Sequence, residues 1–130
     1  MNSRRFDHVD LRVRSLVEAL PFYEKFLPAL GFNRISGEGH WRTFSLAEPD
    51  PTEFVWIVEA LSHQPNETRI AMWADSRAEV DRVAKIVADA GGRVLEGPEL
   101  CEDYGPSYYA FFFEDSCGNR WEVCCRKAEG

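Results

Sequence analysis

The stretch "RIAMWADSRAEVDRVAKIVADAGG", residues 69–92, repeats the pattern of "HVDLRVRSLVEALPFYEKFLPALG", residues 8–31, without a gap. In each, a short alternating run is followed by Ser-x-x-Glu, at Ser15 and at Ser76. This spacing is typical of a capping box, in which the serine oxygen accepts an N–H that the start of a helix leaves unpaired. Each stretch therefore predicts a strand followed by a helix.

The two predicted helices have similar ends but different regularity. Gly31 and Gly92 close the two stretches, and glycine suits the left-handed position just past a helix. Apolar residues recur at helical spacing in both segments. Pro21 and Pro28 make the first helix less regular, because each proline removes a backbone donor. We expect Pro28 to bend that helix or end it early.

Three strand-like runs follow each predicted helix. They are "NRISG", "WRTFSL" and "EFVWIVEA" in the first half, and "RVLEG", "YYAFFFED" and "RWEVCCR" in the second. Each half therefore has the order β-α-β-β-β. The sequence predicts a single α+β domain over residues 1–130, with tandem modules at 6–62 and 68–126.

Composition excludes several classes of function. The net charge is −7 with 22 scattered acidic residues, and no basic patch stands out for binding nucleic acid. The apolar runs are too short to cross a membrane, and the first residues lack the apolar stretch of a signal peptide. None of the 4 cysteines belongs to a Cys-x-x-Cys pair, which favours reduced thiols in a cytoplasmic protein.

Strand alternation assigns residues to two sheet faces. The apolar positions of the first and fifth strands should pack under the helices. Aligning "VWIVE" with "RWEVC" places Trp56 and Trp121 in the same core. The opposite face either meets solvent or lines a cleft, and alternation does not decide between the two. That face is predicted to carry His8, Asp10, Arg12, Ile57, Glu59, Arg69, Trp73, Glu122 and Cys124.

The sequence resembles the vicinal oxygen chelate superfamily, also called the glyoxalase/bleomycin-resistance/dioxygenase group. The resemblance covers nearly the whole chain, through "FDHVDLRV", "PFYEKF" with "LGF", the stretch from "RIAMWADS" to "LEGPE", and "YYAFFFEDSCGNRWEVCCR". It implies a glyoxalase-like cleft of curled mixed sheet and a homodimer. It also implies a divalent metal held by residues of the first, fifth and eighth strands, and in some members the fourth.

The resemblance places candidate metal ligands at His8 and Glu122. The fourth-strand position matches Ile57, which cannot bind a metal, and the fifth-strand histidine is replaced by Arg69. Arginine has no lone pair to donate and adds positive charge beside a dication. We therefore expect a divalent metal (Zn, Ni, Mn or Fe) to bind weakly or not at all. Arg69 either pairs with Glu122 or stays free to bind a substrate carboxylate or phosphate.

Three functions remain open at this point. The first is a metal-dependent lyase or dioxygenase in which His8 and Glu122 are catalytic. The second is a metal-free protein that sequesters a drug-like or cationic ligand. The third is a metal-free enzyme with His8 as base and Arg69 as oxyanion partner. In each case the partner is a small molecule, and the expected binding residues are Arg69, Arg12, Asp10, Ile57, Glu59, Trp73 and Cys124. His40 and His63 match no site of the family and are treated as surface residues.

Overall fold

A computed structural model describes residues 6–47 and 52–128 of the chain. The predicted first module therefore includes four positions, 48–51, that lie outside the described residues. The elements are β1 (His8–Val13), α1 (Leu16–Ala29), β2 (Arg34–Ser36), β3 (Trp41–Ser45), β4 (Phe54–Glu59), β5 (Arg69–Trp73), α2 (Arg77–Asp89), β6 (Arg93–Leu100), β7 (Tyr109–Glu114) and β8 (Arg120–Cys125). A short 3₁₀ helix at Glu102–Tyr104 lies between β6 and β7.

The strands form two four-stranded mixed sheets with the same topology. The first has the order β1-β4-β3-β2 and the second the order β5-β8-β7-β6. In each sheet the first and last strands of the module pair in parallel, and the other neighbours pair antiparallel. The prediction of an α+β fold built from two β-α-β-β-β modules is confirmed.

Both helices begin at the predicted serines. The hydroxyl of Ser15 accepts the N–H of Glu18 at 3.2 Å, and that of Ser76 accepts the N–H of Glu79 at 3.1 Å. Each contact satisfies one of the donors that a helix start leaves unpaired. Helix α1 includes both of its prolines and ends at Ala29, one residue after Pro28. Pro28 therefore does not end the helix early.

The expectation for the second glycine is wrong by one residue. Gly31 follows α1 with φ +99°, but after α2 the left-handed residue is Gly91, with φ +95°. The shift arises because α2 has 13 residues and α1 has 14. Gly92 is required for a different reason: a Cβ there would lie 2.7 Å from Cε1 of Phe22.

One hydrophobic core joins the two modules. Helix α1 of the first module places Phe26 edge-on against Phe113 and Trp121 of the second sheet, with ring centroids 5.0 and 5.1 Å apart. All three side chains are fully buried. Burial of an aromatic ring stabilises the fold by about 1.5–3 kcal/mol, so this contact ties the modules together strongly.

A buried polar network crosses the same boundary around Asp115. Its carboxylate accepts the hydroxyl of Tyr23 at 2.5 Å and the side-chain amide of Asn119 at 2.9 Å. The backbone N–H groups of Cys117 and Asn119 also donate to it. Trp121 donates its indole N–H to the oxygen of Tyr23 at 2.9 Å. The charge of Asp115 is thus compensated by four donors, as a buried carboxylate requires.

Strand β4 corrects the predicted face assignment. Val55 and Ile57 are buried in the core, whereas Trp56 lies only half-buried on the other face. In the parallel register Asp10 is opposite Trp56, as Ala71 is opposite Glu122. The alignment of the two tryptophans was therefore wrong by one residue, and a shift of one residue reverses the face in a strand.

Among the described residues, no helix is long and apolar enough to cross a membrane.

Candidate functional site

The free face of the second sheet, the face turned away from the helices, centres on Glu122. This residue lies in the middle of β8 between Trp121 and Val123, which both point into the core. Glu122 is only 5% exposed although it is on the opposite face. Its neighbours across the sheet are Ala71 on β5 and Phe112 on β7. A carboxylate in such a position requires compensating partners.

Arg69 provides one of these partners. Its Nε lies 3.5 Å from Oε1 of Glu122, which is an ion pair rather than a close hydrogen bond. The guanidinium carbon lies 4.6 Å from the centre of the Phe112 ring, within the range of a cation–π contact. The sequence allowed two alternatives for Arg69, an ion pair with Glu122 or a free guanidinium. The structure has the ion pair.

Tyr108 provides the second partner. Its hydroxyl donates to Oε2 of Glu122, so the two carboxylate oxygens are engaged by different groups. Burial raises the pKa of Tyr108, and the contacts with Cys124 and Glu122 raise it further. Burial also raises the pKa of the Cys124 thiol. Both groups therefore stay protonated at neutral pH, and Tyr108 is a hydrogen-bond donor there.

A second arginine covers the outer end of this face. The guanidinium carbon of Arg126 lies 4.6 Å from the centre of the Tyr108 ring and 5.9 Å from that of Trp73. Trp73 itself is 70% exposed. Trp73 and Cys124 thus lie on the predicted face, and Arg126 and Tyr108 are members of the cluster that sequence reasoning missed. Position 126 follows the last strand, and an aromatic residue at 108 is easily taken for core.

An acidic groove adjoins the cluster along β6 and the 3₁₀ helix. Its volume is about 280 Å³. Phe112, whose ring contacts the guanidinium of Arg69, forms part of the wall of this groove. Tyr104 packs edge-on against Phe112 and Tyr108, with centroids 6.4 and 5.3 Å apart. The groove is lined by Glu96, Glu99, Leu100, Cys101, Glu102, Asp103, Tyr104 and Phe112.

The negative charge of this groove affects the pKa of its cysteine, Cys101. Burial raises the pKa of Cys101, and the nearby Glu99 and Glu96 raise it further. Four carboxylates beside aromatic rings form an environment that attracts cations. None of the acidic groove residues was a candidate from the sequence, although the carboxylates at 96, 99, 102 and 103 could have suggested the groove.

His8 lies in a different cluster on the first sheet. Its Nδ1 lies 2.8 Å from an oxygen of Asp7, and its Nε2 lies 3.3 Å from one of Asp10. Its ring stacks on Phe54 with centroids 4.6 Å apart. Within residues 6–47 and 52–128, no contact joins His8 to Arg69 or Glu122. The convergence of His8, Arg69 and Glu122 in one cleft therefore stays a prediction.

Two further candidates are corrected by the structure. Ile57 is fully buried on the helix side of β4, so it cannot line a cleft on the free face. Glu59 is on that side as well, and its Oε1 accepts the backbone N–H of Leu16 at 2.9 Å. It therefore caps the start of α1, where a negative charge is favourable. Asp10 and Arg12 do reach the free face of the first sheet, and Arg12 lies 6.0 Å from the Trp56 ring centre.

The residues of the second sheet do not suit a divalent metal. In the part of the chain that the structure describes, no group of three or more His, Cys, Asp and Glu side chains is arranged to hold a metal ion. Glu122 is already engaged by Arg69 and Tyr108, and the guanidinium would repel a dication. No step of a reaction is therefore assigned to a metal.

Two four-stranded mixed sheets, each built from one β-α-β-β-β module, define a class of small two-module α+β proteins. The family profile of the Glyoxalase/Bleomycin resistance protein/Dioxygenase superfamily matches residues 5–123, and the chain belongs to this superfamily. A search of curated proteins gave no match.

Solved structures show the same fold at low sequence identity. A glyoxalase/bleomycin resistance protein from Albidiferax ferrireducens is 22% identical, with a TM-score of 0.76 over 94% of this chain and 98% of that one. A putative glyoxalase from Bacillus halodurans is 21% identical, with a TM-score of 0.76 over 94% and 96%. The fosfomycin resistance protein FosX from Mesorhizobium loti is 19% identical, with a TM-score of 0.68 over 97% and 95%.

Proposed function

We propose that the protein binds a small planar organic cation in the acidic groove and does so without a metal ion. The observation that carries this proposal is the position of Arg69, whose guanidinium already lies 4.6 Å above Phe112 beside the Glu122 carboxylate. The chain thus uses this aromatic and acidic surface to hold a cation of its own. A ligand cation would meet the same chemistry in the adjoining groove.

The charge of the groove supports a cationic rather than an anionic ligand. Glu96, Glu99, Glu102 and Asp103 are exposed and line the groove, so they can reach a bound molecule. An anion would have to approach these four carboxylates. The aromatic side chains of Tyr104 and Phe112 offer a flat apolar contact, which suits a planar molecule. A metal-dependent lyase or dioxygenase is disfavoured by the engagement of Glu122.

The direct test uses two ligands that differ in charge. N-methylacridinium and acridine-9-carboxylate have the same ring system, and their fluorescence reports binding. We expect the cation to bind with the same affinity in the presence and absence of a chelator, and the anion to bind at least about fivefold more weakly. Equal binding of both probes, or loss of cation binding on addition of the chelator, would contradict the proposal.

A matched pair of variants locates the binding site. Glu96→Gln combined with Glu99→Gln should weaken cation binding about fivefold, because each exposed charge pair contributes about 0.5 kcal/mol. Glu24→Gln removes an exposed carboxylate from α1, outside the groove, and should leave the affinity unchanged. An equal loss in both variants would mean that only the overall charge of the protein matters.

We also propose a homodimer, independently of the groove. It is supported by large apolar side chains that remain exposed, including Phe6 at 86%, Leu61 at 79% and Trp73 at 70%. Among the residues that the structure describes, strands β1 and β5 also each have one edge without a neighbouring strand in their sheets. Light scattering at micromolar concentration should give twice the chain mass. A single chain mass would contradict the dimer and leave the groove proposal in place.

A further inference from the structure

A second cavity lies between the two modules and shares no lining residue with the acidic groove. Its volume is about 210 Å³. Strand β1 forms one wall, and the linker before β5 and the turn before β8 form the others. Its polar lining residues are Asp10, Arg12, His63, Asn66, Thr68, Asn119 and Arg120, with Leu11 and Ile70 beside them.

The charge of this cavity is opposite to that of the groove. Arg12 and Arg120 both line it. Arg12 has no carboxylate partner among the described residues and lies 6.0 Å from the ring of Trp56. Arg120 has only a long contact, with its Nε 3.8 Å from an oxygen of Glu114. The lining contains two arginines and one acid, Asp10, whose carboxylate lies 3.3 Å from Nε2 of His8.

The hydrogen bonds of Asn119 determine which nitrogen of His63 carries a proton. The side-chain nitrogen of Asn119 donates to the carbonyl of Arg12 at 2.8 Å and to Asp115 at 2.9 Å, and both of these atoms can only accept. The side-chain oxygen of Asn119 therefore faces Nε2 of His63, at 2.9 Å, and must accept its hydrogen. Asn119 is 8% exposed, so this orientation is fixed by buried contacts.

The neutral form of His63 consequently has its lone pair on Nδ1. No hydrogen bond to this atom is found in the part of the chain that the structure describes. A neutral imidazole can accept a hydrogen bond through such a lone pair. Two guanidinium groups and one acceptor match an oxyanion that carries a proton of its own, because the charges bind its oxygens and the lone pair binds its O–H.

We propose that this junction cavity binds a phosphate group, either free or as a small monoester. Arg12 and Arg120 supply the positive charge, and Thr68 and Asn66 line the same wall. His63 accepts the hydroxyl of a singly protonated phosphate through Nδ1. The site is independent of the groove, so it would remain if the groove bound no cation.

The test is a titration of the intact protein with inorganic phosphate, methyl phosphate and sulfate at constant ionic strength. Calorimetry gives the affinity, and NMR of the ring protons follows His63 among the 3 histidines of the chain. At about pH 8 inorganic phosphate keeps one proton, whereas methyl phosphate and sulfate have none to donate. We expect saturable binding of inorganic phosphate with a shift of the His63 signals, and sulfate to bind about tenfold more weakly.

The two sources of phosphate are distinguished by the same titration. At this pH methyl phosphate lacks the hydroxyl that His63 would accept. Tighter binding of methyl phosphate than of inorganic phosphate would therefore point to an organic monoester and overturn the role of His63, and the reverse would point to the free ion. Either result supports the site. Absence of saturable binding by both would overturn the proposal, and equal affinity for sulfate would overturn the role of His63.

Two arginines of the second sheet provide a matched control. Arg120 and Arg93 both pair with Glu114, at 3.8 and 3.6 Å, but only Arg120 lines the cavity. Arg120→Gln should weaken phosphate binding about tenfold, since a charge-assisted contact is lost. Arg93→Gln should leave it within about twofold. Arg12→Gln should behave like Arg120→Gln. Equal effects of the variants at 93 and 120 would overturn the proposal.

Discussion

Arg69 and Glu122 form an ion pair on the free face of the second sheet, with Nε 3.5 Å from Oε1. The side chain of Arg69 is 40% exposed and that of Glu122 is 6% exposed. The pair therefore joins a partly solvent-exposed guanidinium to a buried carboxylate. Tyr108 donates to the other carboxylate oxygen. Together these contacts compensate the charge of the Glu122 carboxylate, which lies at a position that members of the superfamily commonly use to hold a metal. The site is therefore chemically different from a metal centre.

The first prediction concerns metal affinity. Arg69→His removes the competing cation and adds an imidazole on the strand beside Glu122. We expect this variant to bind Zn²⁺ at least about tenfold more tightly than the parent protein, a difference of about 1.4 kcal/mol. Isothermal titration calorimetry at neutral pH measures it.

Arg69→Gln is the control for this prediction, because it removes the same charge without adding a ligand. The explanation of Arg69 is wrong if the parent already binds Zn²⁺ with submicromolar affinity. It is also wrong if the histidine variant binds no better than the glutamine variant.

The second prediction reverses the usual expectation for a binding-site mutation. Arg69→Gln should strengthen the binding of N-methylacridinium about threefold or more, because it uncovers the ring of Phe112 and removes a like charge. Fluorescence titration measures the affinity. Arg42→Gln, which removes an arginine from β3 on the other sheet, should have no effect. Weaker binding after Arg69→Gln would indicate that the arginine itself contacts the ligand.

The fold was predictable because its signals are local and occur twice. Ser15 and Ser76 each begin a helix, and the strand order followed from alternation and turn residues. The exact face of β4 was not predictable, because tryptophan and isoleucine both suit a core and only the register with β1 separates Trp56 from Ile57.

The candidate site was predictable only in part. Glu122 and Arg69 lie on adjacent strands of one module, so their contact follows from the repeat. The position of His8 depends on how the two sheets are placed relative to each other, which no local pattern specifies. The phenol of Tyr108 and the guanidinium of Arg126 reach the site through side-chain rotamers, and a sequence pattern contains no information about these.

The third prediction concerns the network that joins the modules. Tyr23→Phe should lower the free energy of unfolding by about 2–3 kcal/mol, because buried Asp115 loses one of its four donors and the indole N–H of Trp121 is left without a partner. Chemical denaturation at neutral pH measures the change. Tyr109→Phe is the matched control: its hydroxyl bonds Asp81 at 2.7 Å on the surface, so its loss should cost less than about 1 kcal/mol. Equal losses would mean that the buried network does not stabilise the fold beyond an ordinary surface contact.

The last prediction is the response to alkaline pH. Burial raises the pKa of both Tyr23 and Tyr108, and contacts with Asp115 and Glu122 raise them further. In the unfolded chain a tyrosine ionises near pH 10. Above that pH the folded state holds these two protons while the unfolded state releases them. Deprotonation therefore lowers the free energy of the unfolded state relative to the folded state, and stability falls. Below it, both states are protonated and the contribution of the phenols is complete.

The expected result is therefore a loss of stability that steepens above about pH 10. Each tyrosine that stays protonated only in the folded state adds about 1.4 kcal/mol per pH unit to the slope. Tyr108→Phe should lower the free energy of unfolding at neutral pH, because Glu122 loses a donor, yet make its decline above pH 10 shallower than in the parent. Denaturation curves across the alkaline range measure both effects. If the parent and the variant decline in parallel, the phenol of Tyr108 does not hold its proton in the folded state as the geometry requires.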